Sequence, residues 1–85
     1  MQFLRRVTSA DGAVVTGQIR IRKINYNAAL AADTVTLQDS AGNVIWAANG
    51  TAATSSQTFD FADGMVLNGH KVSAISASDV LFIYG

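Results

Sequence analysis

Short runs of alternating apolar residues, broken at close intervals by tight-turn dipeptides, constrain this chain more than any other feature. Thr34-Val35-Thr36-Leu37-Gln38-Asp39 leads into Ser40-Ala41-Gly42-Asn43 and out through Val44-Ile45-Trp46-Ala47, which reads as strand, reversal, strand. Met65-Val66-Leu67, Asn68-Gly69 and His70-Lys71-Val72 carry the same signature, and Asn-Gly between apolar runs is the strongest short-range hairpin signal. Thr58-Phe59-Asp60-Phe61 alternates with both Phe on one face, and Asp63-Gly64 reads as a turn into Met65. The stretch from Thr51 to Gln57 is small and polar and reads as a loop.

The remaining segments agree with an all-β chain. Phe3 to Thr8 reads as a first strand with Phe3, Arg5 and Val7 on one face. Gln18 to Tyr26 is the longest strand, with Ile19 and Ile21 opposite Arg20 and Arg22. Its phase then slips, so that Ile24 and Tyr26 fall on the arginine side. A β-bulge near Arg22-Lys23 would restore a continuous apolar face; the alternative is a strand that crosses between sheets. Asn27 to Ala32 is too short for a free-standing helix and reads as a loop with Leu30 tucked inward. Asp79 to Tyr84 is apolar on both faces, which points to burial between a core and something else. The expectation is a single domain over residues 1–85, a small jelly-roll-like β-sandwich of seven or eight short antiparallel strands. Trp46, Phe59, Phe61, Val80 and Phe82 are its expected core.

A chain of 85 residues buries only about 60–65% of the surface its unfolded form exposes. It holds no Cys, hence no disulfide and no thiolate metal site, and its one His is too few for a His-based zinc site. Oligomerisation is the staple left to it. Charged residues make up only 14%, against about 25% in ordinary domains, which favours packing against copies of itself or a partner. There is no Pro to guard an edge strand.

The net charge of zero argues against a dedicated nucleic-acid binder. Even so, Arg5, Arg6, Arg20, Arg22 and Lys23 place five of the six cations in the first 23 residues. With Tyr26 nearby, the stripe of Arg20, Arg22 and Lys23 reads by default as a solvated strand face. The alternatives are a single-strand nucleic-acid platform and a partner interface, since Arg and Tyr are favoured where partners dock. For the last, Arg5, Arg6, Arg20, Arg22, Lys23 and Tyr26 are the expected residues. Arg5 and Arg6 would extend the stripe if the first strand paired with the second. Met1 to Arg6 lacks the apolar core of a secretory leader and no window is long enough to span a membrane. A soluble, complete gene product is expected.

Catalytic chemistry finds little to use. Seven Ser are present, but His70 is the single candidate base and stands beside a turn expected to be solvated. Asp60 and Asp63 flank Phe61-Ala62, a solvent-face residue and a turn former rather than a paired-carboxylate site; a weak Ca²⁺ site there is the alternative. Asp39 to Asn43 lacks the spacing of a Ca²⁺ loop and reads as a hairpin turn. No catalytic residue, cofactor or metal is assigned, and no enzyme is expected.

From Asp33 onward the chain resembles the small, cysteine-free β-sandwich proteins of tailed-phage virions. The resemblance rests on the run from Asp33 to Val44, on Thr58-Phe59-Asp60-Phe61-Ala62-Asp63-Gly64, on Asn68-Gly69-His70-Lys71-Val72 and on Leu81-Phe82-Ile83-Tyr84. It covers about 50 residues, mostly of strand and turn chemistry. It implies a capsid decoration or cement protein, made in the host cytoplasm and carried on the capsid surface. It further implies a homo-oligomer, with a trimer favoured, bound to the major capsid protein or another virion protein, without nucleic acid or membrane. The other expectation is a tail- or fibre-associated carbohydrate- or receptor-binding module, with Trp46 or Tyr26 exposed beside Asn49 and Asn68.

Overall fold

The computed structural model describes residues 3–85. Met1 and Gln2, where the stretch read for a leader begins, lie outside the described residues. The chain forms β1 (Leu4–Val7), β2 (Val15–Ala28), β3 (Thr34–Asp39), β4 (Val44–Asn49), β5 (Ser55–Ile75) and β6 (Val80–Tyr84). All pair antiparallel in one sheet of order β1-β6-β2-β5-β3-β4. Six strands therefore stand where seven or eight are expected.

The difference lies in β5. Neither Asp63-Gly64 nor Asn68-Gly69 reverses the chain; both are absorbed into one strand of 21 residues. Between the pairs Ile21↔Met65 and Lys23↔Asp60, two steps on β2 face five on β5, so Phe61 to Gly64 bulge out of the ladder. Gly64 (φ 80°) and Gly69 (φ 109°) hold backbone conformations that would suit a turn, and here they bend a strand instead. The small polar stretch before Thr58 likewise enters β5 at Ser55, because β2 offers it a ladder from Ala28 back to Lys23.

Two local readings hold. Asp39 to Asn43 closes the β3–β4 hairpin: the Asp39 carboxylate accepts the N–H groups of Ala41 and Asn43, both at 2.9 Å. These bonds, led by that from Asn43, hold its carboxyl below the usual range. The bulge in β2 falls between Ile21 and Lys23, and it turns Ile21, Ile24 and Tyr26 to one interior.

β5 changes partners along its length. Its residues up to His70 pair with β2, and from His70 onward they pair with β3. His70 stands opposite both Val15 and Asp39. The sheet curls about this crossing, so that Val7, Ile24, Leu37, Val72 and Leu81 meet in one core although β1 and β4 are its two ends.

The expected core needs correction. Leu81 and Ile83 are fully buried, whereas Val80 and Phe82 lie half-buried on the opposite face of β6. Trp46 and Phe61 pack on the core's margin, and Phe59 meets Trp46 edge-on at 5.2 Å between centroids. Tyr26 is the one Phe, Tyr or Trp ring fully inside among the described residues; the rest of the buried core is aliphatic, and Trp46 and Phe61 seal its border. Leu30 is 62% exposed in the turn after β2, not tucked inward.

Gly69 is buried, and a Cβ there would come within 3.1 Å of Ser40 Cβ at a positive φ. Gly69→Ala is expected to cost about 1–3 kcal/mol in urea denaturation. Gly12→Ala, where a Cβ meets open space, serves as the near-neutral control.

Candidate interaction face and buried polar clusters

Three side-chain columns stand in register on the outer face of β6, β2 and the first part of β5. Tyr84, Lys23 and Asp60 form one row; Phe82, Asn25 and Thr58 the next; Val80, Asn27 and Ser56 the third. β1 adds Leu4 beside Tyr84 and Arg6 beside Phe82. The face thus carries an apolar column next to a carboxamide column. Tyr84 and Phe82 lie 6.4 Å apart, and the Lys23 ammonium sits 4.5 Å from the Tyr84 ring centroid in a cation–π contact.

The carboxamide column is held in place by its own bonds. Asn25 Nδ2 donates to Ser56 Oγ and Thr58 Oγ1, and Asn27 Nδ2 donates to Asn25 Oδ1 at 2.7 Å. A concavity of about 610 Å³ opens at one end of the face, lined by Leu4, Arg22, Lys23, Asp60 and Tyr84. A second, of about 300 Å³, opens at the other end beside Asn27, Ser56 and Val80. Fixed polar groups beside half-exposed rings can receive a partner with little loss of rotamer freedom.

The expected interface residues separate. Arg6 and Lys23 belong to this face, and Arg22 lines its larger hollow. Arg20 is exposed further along β2, with Nη1 donating to the Asp63 carbonyl at 2.9 Å. Tyr26 does not belong to it: the ring is 0% exposed, and its hydroxyl donates to Asp79 Oδ2 at 2.6 Å. The bulge that restores the apolar face of β2 is what turns Tyr26 inward. Arg5 is also withdrawn, since it faces inward with Val7 and pairs with Asp11. Nor does β1 extend the stripe on β2, because β6 lies between them.

Two buried polar clusters escaped sequence reasoning. In one, Asp79 is 1% exposed and accepts from Tyr26 and from the Ala29 N–H at 2.8 Å. Burial, then the Asp79 bond and charge, push the Tyr26 phenol far above its ordinary value. The neighbouring Asp33 carboxyl is raised by its hydrogen bond to Asp79. In the other, the Arg5 guanidinium grips both carboxylate oxygens of Asp11, and Arg5 Nη1 donates to His70 Nε2 at 2.8 Å. Val72 N–H donates to Asp11 Oδ2, and Asp11 N–H donates to the Val72 carbonyl. Burial alone would raise Asp11, but the bonds from Arg5 and Val72 and the nearby positive charge outweigh it and hold the carboxyl low.

His70 is therefore no solvated turn residue: it is 1% exposed, because β5 continues through the position where a turn is expected. Among the described residues no group of three or more His, Cys, Asp or Glu is placed to hold a metal ion. Comparison with protein-family models, with curated proteins and with solved structures finds no match.

Tyr26→Phe leaves the buried Asp79 carboxylate without one donor, and an expected loss of about 1–3 kcal/mol should appear as a lower urea midpoint at unchanged slope. An unchanged midpoint would mean that another donor takes the hydroxyl's place.

Proposed function

We propose that this chain is a non-enzymatic structural protein of a tailed-phage virion. In its most concrete form it is a capsid decoration or cement protein that binds the assembled shell as a homo-oligomer. The observation that carries the reading is the last strand. Leu81 and Ile83 fill the core, yet Val80, Phe82 and Tyr84 present a second apolar column outward. A sheet face of this kind, bordered by Arg6, Arg22 and Lys23, suits a partner with apolar anchors and an acidic rim. Binding only the assembled shell would stabilise it by mass action, and many copies would add avidity.

Three further points support the reading. Sequence resemblance from Asp33 onward points to small virion proteins. The lone imidazole has Nε2 committed to Arg5 and is 1% exposed, so it is not offered to a solvent-borne substrate. The curled sheet is also compatible with a jelly-roll-like sandwich, since its thinnest dimension of 18 Å accommodates two backbone layers about 10 Å apart.

One observation favours a second reading, a carbohydrate-binding module: the Phe82–Tyr84 pair stands beside the pre-bonded Asn25 and Asn27 amides. It would use these residues rather than Tyr26, which is buried, or Trp46, which is half-buried against the core and meets Phe59 edge-on.

The deciding experiment is co-sedimentation with phage heads stripped of their accessory proteins, with the heads' disruption temperature followed alongside. Saturable binding that raises this temperature, and that Phe82→Ala weakens tenfold or more, is the expected result. Failure to bind heads together with Phe82-dependent retention on a glycan array would transfer the function to the second reading. Leu81→Ala separates folding from docking, because it should cost about 2–5 kcal/mol of stability while Phe82→Ala costs less.

A further inference from the structure

The β1–β2 loop reaches across the sheet and is fastened to β5 at one place. Asp11 takes both backbone groups of Val72, its own N–H donating at 2.8 Å and its carboxylate accepting at 2.9 Å. In a strand, a residue's N–H and C=O point to the same edge. Asp11 therefore occupies the edge of β5 opposite β3, the edge that β2 leaves beyond His70. The fastening runs through Arg5: its Nη1 donates both to Asp11 Oδ2 and to His70 Nε2, while Nη2 donates to Asp11 Oδ1.

This geometry sets the state of His70. A guanidinium has no acceptor, so Nε2 must accept and the ring must be neutral with its proton on Nδ1. Nδ1 is buried without a partner among the described residues. A second proton could enter only at Nε2, where it would meet the Arg5 Nη1 hydrogen head-on. The charged groups around the ring are few: Arg5 from β1 and Asp11 from the loop. From β3, the register partner Asp39 has its carboxylate committed to its own turn, and β2 presents the uncharged Val15.

We propose that Arg5, Asp11 and His70 form an acid-sensitive clasp: protonation of His70 expels Arg5, frees the Asp11 carboxylate and releases the β1–β2 loop from β5. Leu4 and Arg6 flank Arg5 on the outer side of β1, so opening also unseats one border of the outer face. The clasp does not depend on the virion reading. Its sign is fixed. Burial and then the Arg5 charge depress the folded imidazole below its free value, so closure is fully stable above about pH 6.5 and weakens as pH falls. Asp11 acts in the same direction only at lower pH, as it protonates below the free carboxyl value.

The test is amide hydrogen exchange on the whole chain between pH 7.5 and 5.0, read as protection factors at Asp11 and Val72. The expected result is a fall approaching tenfold per pH unit below about pH 6.5 in the native protein. In His70→Gln, whose amide oxygen can still accept from Arg5, the profile should be flat. Pronounced protection loss in the native chain with an equal loss in His70→Gln would overturn the proposal, as would constant protection in both. Should His70→Gln not fold, imidazole ¹⁵N shifts of the native chain decide. Ring protonation coinciding with loss of Asp11 protection supports the clasp, and ring protonation with protection intact refutes it.

Discussion

The whole arrangement depends on one strand that serves two partners. β5 spends its first part on β2 and its last part on β3, and the exchange occurs at His70. A flat strand cannot do this within a compact core, so the backbone is bent by the bulge at Phe61 to Gly64 and by the positive φ of Gly69. The curl that follows brings inner faces from both ends of the sheet onto one cluster of aliphatic side chains. The crossing also leaves backbone groups of Val72 without a strand partner, and Asp11 supplies what the ladder does not.

β6 shows how this interior sorts side chains. Its five residues are all apolar or aromatic, and pleating sends Leu81 and Ile83 one way and Val80, Phe82 and Tyr84 the other. Binary patterning cannot choose between two apolar faces. The choice is made by what β6 pairs with: opposite Leu81 on β2 stands Tyr26, anchored inward by Asp79, while opposite Phe82 stands Asn25, bonded to the polar column of β5. Phe82, a ring expected inside, is thus turned to the outer face.

Much of the local structure was legible in the residues. The β3–β4 hairpin, the bulge after Ile21 and the first strand follow from alternation and from Asp39 at its turn, and the last strand from its unbroken apolar run. Arg22 and Lys23 were legible as neighbours on one basic strand, and so was the placement of Arg5 with Val7, whereas Arg6 comes to the outer face beside β6 and not beside β2. The buried clusters were not, because each joins residues far apart in the chain: Tyr26 to Asp79, and Arg5 and Asp11 to His70 and Val72. A faint signal did exist, since an arginine on the apolar face of a strand demands an acid within reach.

Sequence alone determined the all-β class, because period-two patterning interrupted by Gly, Asn and Asp leaves no long helical stripe. Only the tertiary structure decided whether a glycine pair would reverse the chain or bend it. Asn68-Gly69 permits both, and the two ladders offered to β5 by β2 and β3 reward continuing over turning back. It also decided which face of β6 is interior and which basic residues stand on the outer face. Those outcomes depend on contacts between distant segments, and no local pattern carries them.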